Sequence, residues 1–458
     1  MEKNLTTRGV MINMNHQPIT DYDKKVKNCC CSYCGNNCDD ITYLLKDNKI
    51  VGVRHACRLG ASKIINDQDQ RLQKPMIRNQ EGILEEVTWD EALNKTAKLL
   101  YESNRPVFYG WGETSVEAIK KGIKIAESSG AVMDNQSTIC HGSSIQAFQN
   151  VGHPVMTLGE VKNRADVIIY YGTNPMDDHP RHLSRFTTFS EGFFRKNGRK
   201  DRTLITIDPK YTNTAKVSDE WLQVNINEDY LLLNAMRMML KGEKIEEKTI
   251  AGVPTEKIQE ILDIMKNAEY GALFFGLGLS QTLAKQKNVD ILIQLIEDLN
   301  QYSKWSMLPM RGFFNVNGFN IALTSETGYP YGVDFSRGYP KFRVGETTAV
   351  DLLNRRETDF FMAISADPGV QFPGYSIKHL VNIPTIQIDT HWGPYTELSD
   401  IVLPSTRIGV ETEGTAYRMD SVPLFMKKVI EKPEHCHSDE WILTQIYERL
   451  QQLKKERS

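Results

Sequence analysis

The sequence has no excess of charge of either sign and no long apolar run. Its 55 Lys and Arg residues stand against 58 Asp and Glu, so the formal net charge is −3. Proteins that bind nucleic acids or membrane surfaces need a basic excess to meet phosphates, so this balance argues against that class. No apolar run approaches the roughly 18–20 residues that cross a bilayer, and the N-terminus has no signal-peptide pattern. We therefore expect a cytoplasmic protein without a membrane span.

Two common phosphate-binding motifs are also missing. There is no Gly-x-x-x-x-Gly-Lys-Ser/Thr segment, which argues against a P-loop ATPase, and no Gly-x-Gly-x-x-Gly finger, which argues against simple NAD binding. The composition is that of an ordinary globular protein, with 40% hydrophobic and 25% charged residues. The 458 residues are enough for about two to four domains.

Helix and strand signals alternate along most of the chain. Thr88-Trp-Asp-Glu91 and Thr114-Ser-Val-Glu117 are capping boxes, which predict helices ending near Glu102 and Gly130. Another helix is predicted from Glu440, and no internal repeat is evident. Such alternation with continuous apolar strands is typical of an α/β fold with parallel sheets covered on both faces. The predicted strands span 105–110, 166–172, 203–208, 272–276, 359–366 and 385–389.

Polar, glycine-bearing loops follow three of these predicted strands. They are Gly172-Thr-Asn-Pro-Met-Asp-Asp-His-Pro180, Asp208-Pro-Lys210 and Gly276-Leu-Gly-Leu-Ser-Gln281. Each alone is ordinary turn chemistry. Ligands of open α/β sheets bind beyond the carboxyl ends of the strands, so three such loops on one sheet favour a nucleotide-like cofactor.

Six of the eight cysteines lie between Cys29 and Cys57. In a long chain without a signal peptide, clustered thiols indicate metal binding and not a disulfide framework. The predicted ligands follow the pattern of a four-cysteine iron–sulfur cluster, with structural zinc as the alternative. Those ligands are Cys31, Cys34, Cys38 and Cys57, whereas Cys29 and Cys30 are predicted to be spectators.

Cys140 stands apart, next to His141, in the polar segment Ser137–Ser144. A thiolate beside an imidazole is either a nucleophile, as in a cysteine hydrolase, or a soft metal ligand, and the loop alone leaves both open. Cys436, between His435 and His437, is predicted to be a surface thiol.

Together these motifs resemble the molybdenum/tungsten bis-pterin oxidoreductases of the dimethyl-sulfoxide-reductase superfamily. The resemblance runs from Cys31 to about Pro423 and is most specific in Asp400-Ile-Val-Leu-Pro404 with Glu413-Gly-Thr415. It implies a small N-terminal iron–sulfur domain (1–80) and two doubly wound Rossmann-like domains. The first comprises 81–135 and 305–458, on the second pterin dinucleotide side, and the second comprises 136–304, on the first pterin side. The 43 residues after Thr415 predict that the C-terminal β-barrel of longer relatives is lacking.

The resemblance also implies the cofactors, which are one [4Fe-4S] cluster and tungsten or molybdenum bis(pyranopterin guanine dinucleotide). Relatives have a basic residue between the cluster and the pterin. In this sequence Leu59 occupies that position, and Arg58 precedes it. The positions that match cofactor-contacting loops are Arg58, Gly172, Asn174, Pro175, His179, Asp208, Lys210, Asp219, Gly276, Gly278, Gln281, Gly312, Asn315, Asp389, Thr390, Asp400, Glu413, Gly414, Thr415 and Arg418.

Within the superfamily, four segments are most similar to the catalytic B-type chains of formylmethanofuran dehydrogenases. They are Cys34–Asp40, Ser137–Gly142, Asp177–His182 and Arg311–Gly318. This implies reversible reduction of CO2 to formate, which an amidohydrolase partner joins to methanofuran in methanogenesis or its reversal. Cys140 would ligate the metal, His141 would relay a proton with a pKa in the useful range, and Arg311 would hold formate. His179 and His182 would be loop scaffolding or cofactor contacts.

The same likeness implies a multi-subunit complex. Its other members would be an A-type amidohydrolase chain, a C-type chain, a small D-type β-barrel chain covering the pterins, and polyferredoxin-type electron-transfer subunits. The alternatives are a formate dehydrogenase that releases free formate, a degenerate scaffold or electron conduit, and a cysteine hydrolase with a zinc domain. Retention of Cys140 and the four cluster cysteines argues against the scaffold.

Overall fold

The computed structural model describes residues 21–65 and 70–457. The predicted absence of a signal peptide concerns residues outside these ranges. The strands are β1 Lys24–Cys29, β2 Ile41–Lys46, β3 Lys49–Arg54, β4 Met76–Arg78, β5 Leu84–Glu86, β6 Pro106–Gly110, β7 Val132–Asn135, β8 Val167–Tyr171, β9 Thr203–Ile207, β10 Glu220–Leu222, β11 Thr249–Ile250, β12 Val253–Pro254, β13 Tyr270–Phe275, β14 Lys304–Pro309, β15 Val333–Asp334, β16 Lys341–Phe342, β17 Phe360–Ile364, β18 Thr385–Asp389, β19 Ile401–Pro404, β20 Gly414–Tyr417 and β21 Pro423–Met426.

The α-helices alternate with these strands. They are α1 Arg58–Ile65, α2 Trp89–Glu102, α3 Val116–Ser129, α4 Gly142–Val151, α5 Leu158–Arg164, α6 Pro175–Asp178, α7 His182–Arg185, α8 Asp229–Leu240, α9 Thr255–Lys266, α10 Leu277–Ser280, α11 Gln286–Leu299, α12 Val316–Thr327, α13 Ala349–Arg355, α14 Pro368–Gln371, α15 Gly374–Leu380 and α16 Asp439–Arg457. Within the described ranges, no helix combines the length and apolarity that a membrane crossing requires.

Two compact units make up the fold. The second consists of Ile139–Gly312 with Met419–Val422, and the first contains the other described residues. In the first unit a nine-stranded sheet has the order β16-β15-β7-β6-β17-β18-β19-β4-β5. Its middle strands, β7 to β19, run parallel. A separate antiparallel sheet, β1-β2-β3, carries the start of the cysteine-rich segment.

The second unit is built on a parallel sheet with the order β10-β9-β8-β13-β14. Both β8 and β13 are buried along their whole length, and α8, α9 and α11 bury apolar faces in the same core. Buried strands cannot alternate apolar with polar side chains, so they are read as continuous apolar runs. The predicted α/β class is confirmed.

The helix caps explain where two of the predicted helices begin. Thr88 accepts a hydrogen bond from the Glu91 amide and starts α2 as predicted. At α3 the prediction was one residue early, because Ser115 and not Thr114 is the N-cap and accepts from the Ala118 amide. The Thr114 hydroxyl instead donates to Asp439.

Candidate active site and cofactor loops

The three predicted loops of the second unit do lie side by side, because β9, β8 and β13 are neighbouring parallel strands. Gly172 has φ +56°, and a Cβ there would lie 2.6 Å from both Gly278 C and Leu279 N. A Cβ on Gly276 would lie 2.6 Å from Gly172 O. The backbones after β8 and β13 therefore meet directly at this point of the sheet edge.

A side-chain bridge ties the loop after β8 to the loop after β9. Asn174, which precedes Pro175, accepts hydrogen bonds at Oδ1 from Thr214 N at 3.2 Å and Thr214 Oγ1 at 2.8 Å. Asp208 accepts from Lys210 N at 2.9 Å, and burial raises the pKa of its carboxyl. The Lys210 side chain is exposed.

Asp219, a predicted cofactor contact, lies elsewhere. It accepts a hydrogen bond from Leu204 N at 2.7 Å and pairs with Arg199 at 2.6 Å. Leu204 is near the start of β9, so the carboxylate sits at the amino end of the sheet. Since the other loops follow the carboxyl ends of the strands, the structure does not bring Asp219 to them.

Cys140 and His141 stand immediately before α4, and they are tied to the other loops by hydrogen bonds. Gln281 Nε2 donates to Cys140 O at 2.6 Å, and Ser143 Oγ donates to Ser280 O at 2.8 Å. The Cys140 side chain is partly exposed. Cys140 and the Gly276–Gln281 loop therefore lie together in the second unit.

His141 is fully buried and both of its ring nitrogens have partners. Nε2 lies 3.1 Å from Met310 O and Nδ1 lies 3.1 Å from Ser144 Oγ. A carbonyl oxygen only accepts, so Nε2 carries the proton and Nδ1 of the neutral ring accepts from the Ser144 hydroxyl. Burial, followed by the charge of Arg311, lowers the pKa of His141 to about 3. A buried imidazole beside a cation disfavours its charged form. The role of His141 as a proton relay stays a prediction.

Arg311 follows β14 and is buried, with 5% of its surface exposed. Burial lowers its pKa to about 10, which still leaves it charged near neutral pH, and the Cys140 thiol opposes that shift. Burial also raises the pKa of Cys140 to about 11, against the opposing charge of Arg311. The thiol is therefore protonated near pH 7 unless a cation binds its sulfur.

This arrangement argues against the cysteine hydrolase. A Cys–His dyad needs an imidazole lone pair that can take the thiol proton. The His141 nitrogens are committed to Met310 and Ser144 instead. Metal ligation by Cys140 stays a prediction.

The first unit repeats the loop pattern of the second, although no repeat is evident in the sequence. Ser365, after β17, has φ +48° and donates from its backbone nitrogen to Ile388 O at 2.9 Å, just as Gly172 N donates to Ile207 O at 2.9 Å. Asp367 accepts from Tyr395 N at 3.1 Å, as Asn174 does from Thr214 N. The two segments also share the spacing Asp-x9-Ser-Asp, at 208–219 and 389–400. Each unit therefore carries one set of matching loops.

Asp400 is the counterpart of Asp219 in this pattern. It accepts a hydrogen bond from Thr385 N, at the start of β18, at 2.9 Å. It too lies at the amino end of its sheet, away from the carboxyl-end loops where the cofactor contact was predicted. Both aspartates pair adjacent strand starts.

Asp389 and Thr390, by contrast, lie at the carboxyl end of β18. Asp389 accepts from Thr390 N at 2.6 Å, and burial raises the pKa of its carboxyl to about 6. Both residues line a cavity together with His391, Thr406 and Arg407. Polar side chains at this position are suited to contact a cofactor in the first unit.

Other predicted contacts of the first unit are already bonded within the protein. Asn315 donates to Thr114 O at 2.6 Å and accepts from Tyr417 N at 2.8 Å. Thr415 donates to the carboxylate of Glu117 from its amide at 2.9 Å and its hydroxyl at 2.7 Å. These side chains fix the positions of α12 and β20, a scaffolding role for which a cofactor is not required.

The remaining predicted positions differ in exposure. Glu413 and Gly312 are exposed, and a Cβ on Gly312 would meet no atom within 4 Å. Gly414 is buried, and a Cβ on this residue would lie 2.7 Å from Ser115 Cβ, so there is no room for a side chain. Arg418 is buried, and its carbonyl accepts from Asn317.

The four predicted cluster ligands form one group in the first unit. Burial, then neighbouring Cys38 and Cys34, raise the pKa of Cys31 well above its usual value. Burial also raises the pKa of Cys34 to about 12. A Cβ on Gly60 would lie 3.0 Å from Cys31 Sγ and 3.6 Å from Cys57 Sγ, so the two sulfurs lie close to the start of α1. Crowded, buried thiols of this kind need bound cations to become thiolates.

A buried amide in the same segment also fits a sulfur-rich group. Asn37, between Cys34 and Cys38, is fully buried, and neither polar atom of its side chain has a hydrogen-bond partner among the described residues. Inorganic sulfide or thiolate could accept from its amide. Within residues 21–65 and 70–457, no three His, Cys, Asp or Glu side chains converge as ligands of a single metal ion do.

The cation near these thiols is Lys63, which the sequence interpretation missed. Arg58 is exposed, at the start of α1. Lys63 forms an ion pair with Glu113. Partial desolvation opposes its charge, but Glu113 and then Cys31 raise the pKa of Lys63 on balance. Lys63 follows Leu59 by four residues, which places both on one face of a helix. This spacing of four residues could have identified Lys63 from the sequence.

The three other cysteines near or beyond this group are packed as small apolar side chains. Cys29 is fully buried, and Cys30 packs with Phe314 and Met426. The prediction of a surface thiol at Cys436 was wrong. Cys436 is fully buried, with Sγ 3.5 Å from Leu72 O.

The sequence of the loop-bearing region matches a known family. The pattern described as "Molybdopterin oxidoreductase" matches residues 71–365. The chain belongs to the molybdopterin oxidoreductase family. Membership confirms the prediction of an oxidoreductase and implies a molybdopterin-type cofactor.

Two relatives in this family are similar over nearly their whole length. The B-type chain of the tungsten-containing formylmethanofuran dehydrogenase 2 of Methanocaldococcus jannaschii is 49% identical, over 94% of this chain and 99% of the relative. The protein of the same name from Methanococcus maripaludis is 45% identical, over 93% of this chain and 99% of the relative. The predicted likeness to such B-type chains is confirmed.

A solved structure shows the same fold. It is a chain of the formyltransferase/hydrolase complex of Methylorubrum extorquens, crystallised with methylofuran. The TM-score is 0.69 at 19% identity, over 84% of this chain and 100% of the other. At this identity the likeness supports the fold of the molybdopterin oxidoreductase family and carries no residue roles.

Proposed function

We propose that this chain is the catalytic redox subunit of a formylmethanofuran dehydrogenase. It would reduce CO2 reversibly to formate at a tungsten or molybdenum bis-pterin centre. A partner protein would then condense the formate with methanofuran. One observation carries the proposal. Cys140 lies in the electrostatic field of the buried Arg311, next to the loops that contain Gly172 and Gly276. The other unit has a second set of loops with the same hydrogen-bond pattern. The two B-type relatives support the choice of substrate.

Each set of loops would hold one pterin dinucleotide. In the second unit the main-chain groups around Gly172 and Gly278, with Asn174 holding the neighbouring loop in place, form an edge that a diphosphate can approach closely. In the first unit Asp389, Thr390 and Arg407 line the corresponding cavity. When bound, the pterin-held metal supplies the two-electron redox chemistry.

The chain's own residues would prepare this site in two ways. Cys140, a protonated thiol by itself, would become a thiolate ligand on meeting a cation. Arg311 stays charged while buried, and a buried guanidinium binds a carboxylate such as formate by charge-assisted, bidentate hydrogen bonds. His141 would keep its structural bonds to Met310 and Ser144.

Cys31, Cys34, Cys38 and Cys57 would hold one [4Fe-4S] cluster that passes single electrons. The closeness of the Cys31 and Cys57 sulfurs to Gly60, and the electrostatic effect of the other three thiols on Cys31, support this use. Lys63 in place of Arg58 would be the basic residue beside it. The expected complex contains the amidohydrolase, a small protein that covers the pterins, the C-type chain and polyferredoxin-type electron carriers.

The test is to purify the native complex and measure its metal, pterin nucleotide and turnover together. We expect tungsten or molybdenum with two pterin dinucleotides per chain, and formate–CO2 exchange that yields formylmethanofuran when methanofuran is added. A complex without tungsten or molybdenum would refute the proposal. Release of all formate free, with no effect of methanofuran, would favour a formate dehydrogenase.

A further inference from the structure

Two segments of the first unit carry exposed lysines without a matching number of acidic residues. They are 24–28, which lies in β1, and 423–428, which begins with β21. The first has three lysines and the second has two, and neither has an Asp or Glu, whereas the formal net charge of the whole chain is −3. All of these lysines are exposed. This surface, called the lysine face below, consists of Lys24, Lys25, Lys27, Phe425, Lys427 and Lys428.

The two segments are neighbours in the fold. Lys427 Nζ lies 3.5 Å from Lys27 O. Lys24 and Lys428 line the same surface cleft. The charges of β1 and those of the residues that follow β21 therefore lie next to one another on one side of the first unit.

Most of these charges are not neutralised within the described chain. Lys428 pairs with Glu431. The other four lysines form no ion pair with a carboxylate among residues 21–65 and 70–457, and they are Lys24, Lys25, Lys27 and Lys427. The carboxylates of Asp23 and Asp47 line the cleft beside them. Four lysines against two carboxylates leave the lysine face with an excess of positive charge.

Another basic segment, 195–200 in the second unit, is different. Arg195 pairs with Glu269, and Arg199 pairs with Asp219. Half of its four cations are therefore neutralised already, which leaves its two lysines. The lysine face keeps twice that number of unpaired cations.

The lysine face borders the segment that carries the predicted cluster ligands. β1 leads through Cys29 and Cys30 to Cys31. Phe425 O lies 3.6 Å from Cys30 Sγ. Lys427 acts electrostatically on both Cys29 and Cys30. Both parts of the face therefore lie next to the two residues that precede the first cluster ligand.

Phe425 gives the face an apolar side chain. Its surface is 57% exposed, while its neighbour Met426 is fully buried and packs with Cys30. Protein–protein interfaces combine aromatic anchors with a polar, charged rim. A phenyl ring among lysines therefore fits a protein partner, because a small anion would have no use for the ring.

The proposed reaction requires a partner at the cluster, and this step rests on the proposed function. Oxidation of one formate to CO2 and one proton releases two electrons. An iron–sulfur cluster passes electrons on one at a time, so its partner must also carry one-electron centres. Such a partner has to dock on the surface next to the cluster ligands, which is where the lysine face lies.

We propose that the lysine face is the docking surface of an acidic iron–sulfur subunit of the complex, which exchanges single electrons with the cluster at Cys31. Carboxylates of that subunit pair with the unpaired lysines, and an apolar side chain packs on Phe425. Opposite charges on the two surfaces favour the encounter and fix its orientation.

The test compares two sets of charge reversals in the full complex. The lysine-face variant carries three substitutions, Lys25→Glu, Lys27→Glu and Lys427→Glu. The control variant changes the net charge equally at three exposed lysines of α2 and α3, by Lys95→Glu, Lys98→Glu and Lys120→Glu. Native mass spectrometry at rising salt concentration gives the subunit composition and the Kd of each subunit. Iron, tungsten, molybdenum and pterin contents are measured on the same samples.

We expect the lysine-face variant to raise the Kd of one acidic, iron-containing subunit about 10-fold or more, because like charges then face each other. The difference should shrink at 1 M salt, where the Debye length is only about 3 Å. Metal and pterin contents of the chain itself should match wild type. Formate-dependent reduction of benzyl viologen should also be unchanged, since a small dye needs no docking surface.

A second variant, Phe425→Ala, leaves β1 unchanged. It should raise the Kd of the same subunit about 10-fold, as the loss of an aromatic anchor does, and this effect should not depend on salt. If the three reversals cost the chain its own iron, the Kd measured for Phe425→Ala replaces theirs as the test.

The alternative is that these lysines only protect an edge strand, because charges on such a strand discourage pairing with other chains. β1 is at the edge of its sheet, and glutamates would protect it equally well. A wild-type Kd in the lysine-face variant, or in Phe425→Ala, would therefore overturn the inference. Equal loss of the subunit in the control variant would overturn it too, as would release of a subunit without iron. If the wild-type complex shows no formate–CO2 turnover but the reversals release the iron-containing subunit, the proposed function fails and the docking surface is still supported.

Discussion

Replacing Gly172 by alanine would test whether direct backbone contact holds the cofactor loops together. At φ +56° an added Cβ would lie 2.6 Å from Gly278 C and Leu279 N. The left-handed conformation costs a non-glycine residue about 1–2 kcal/mol, and the overlap with backbone adds about 1–3 kcal/mol. We therefore expect Gly172→Ala to lower the free energy of unfolding by about 2–5 kcal/mol. Gly242→Ala is the matched control, since its φ is +85° and a Cβ there meets no atom within 4 Å.

The two variants would be compared by thermal unfolding and by pterin content. For a unit of this size 1 kcal/mol corresponds to about 2–4 °C, so Gly172→Ala should melt about 2–12 °C below Gly242→Ala. Pterin content should fall in Gly172→Ala alone, because the displaced Gly278 backbone no longer lines the edge. Equal melting temperatures and equal pterin contents would refute the reasoning. Ser365 already carries a side chain at φ +48°, so the requirement for glycine at 172 comes from the contact and not from the turn alone.

Three further predictions concern other groups of the chain. Cys34→Ser should lose the iron and labile sulfide of one cluster. The control is Cys436→Ser, whose iron content should be unchanged. Equal iron contents in the two variants would exclude Cys34 as a ligand. Arg311→Lys should raise KM for formate about 10–100-fold, because an ammonium cannot make the bidentate contact, and an unchanged KM in steady-state assays would place formate elsewhere. Asp439 is buried, and burial raises its pKa from 3.8 to about 6, so the folded state binds this proton more tightly, and the stabilisation is present below pH 3.8 and is lost as the pH rises through 6. The free energy of unfolding should therefore be measured by denaturation at pH 4 and pH 8. Between these pH values it should fall by up to about 3 kcal/mol more in wild type than in Asp439→Asn. An equal fall in both proteins would contradict the assigned cause.

Much of the fold could be predicted because its signals are local. A buried parallel strand has to be apolar along its whole length, so β8 and β13 are recognisable by composition alone. The cap of α2 follows from one hydroxyl and the amide three residues later. At α3 two hydroxyls compete, and Ser115 takes the cap because Thr114 is drawn to Asp439, which is distant in the sequence. Local pattern decides that a helix starts, and tertiary contact decides which residue caps it.

The matching loop sets were not predicted, because the two units share a hydrogen-bond pattern and hardly any sequence identity. Gly172 and Ser365 share a left-handed backbone, and Asn174 and Asp367 share an acceptor, yet neither pair is identical. Only the Asp-x9-Ser-Asp spacing survives in the sequence. In both units its last aspartate pairs the starts of neighbouring strands, which explains why a residue that the family resemblance assigned to the cofactor lies at the opposite end of the sheet.

Side-chain chemistry was hardest to predict, since it depends on burial and on partners far away in the chain. Next to a cysteine, His141 has the sequence context of a proton relay, but Met310 and Ser144 occupy its nitrogens and burial beside Arg311 keeps it neutral. The chemistry of His141 therefore follows from the hydrogen bonds and the burial that tertiary packing imposes, and the neighbouring cysteine in the sequence reveals neither of them.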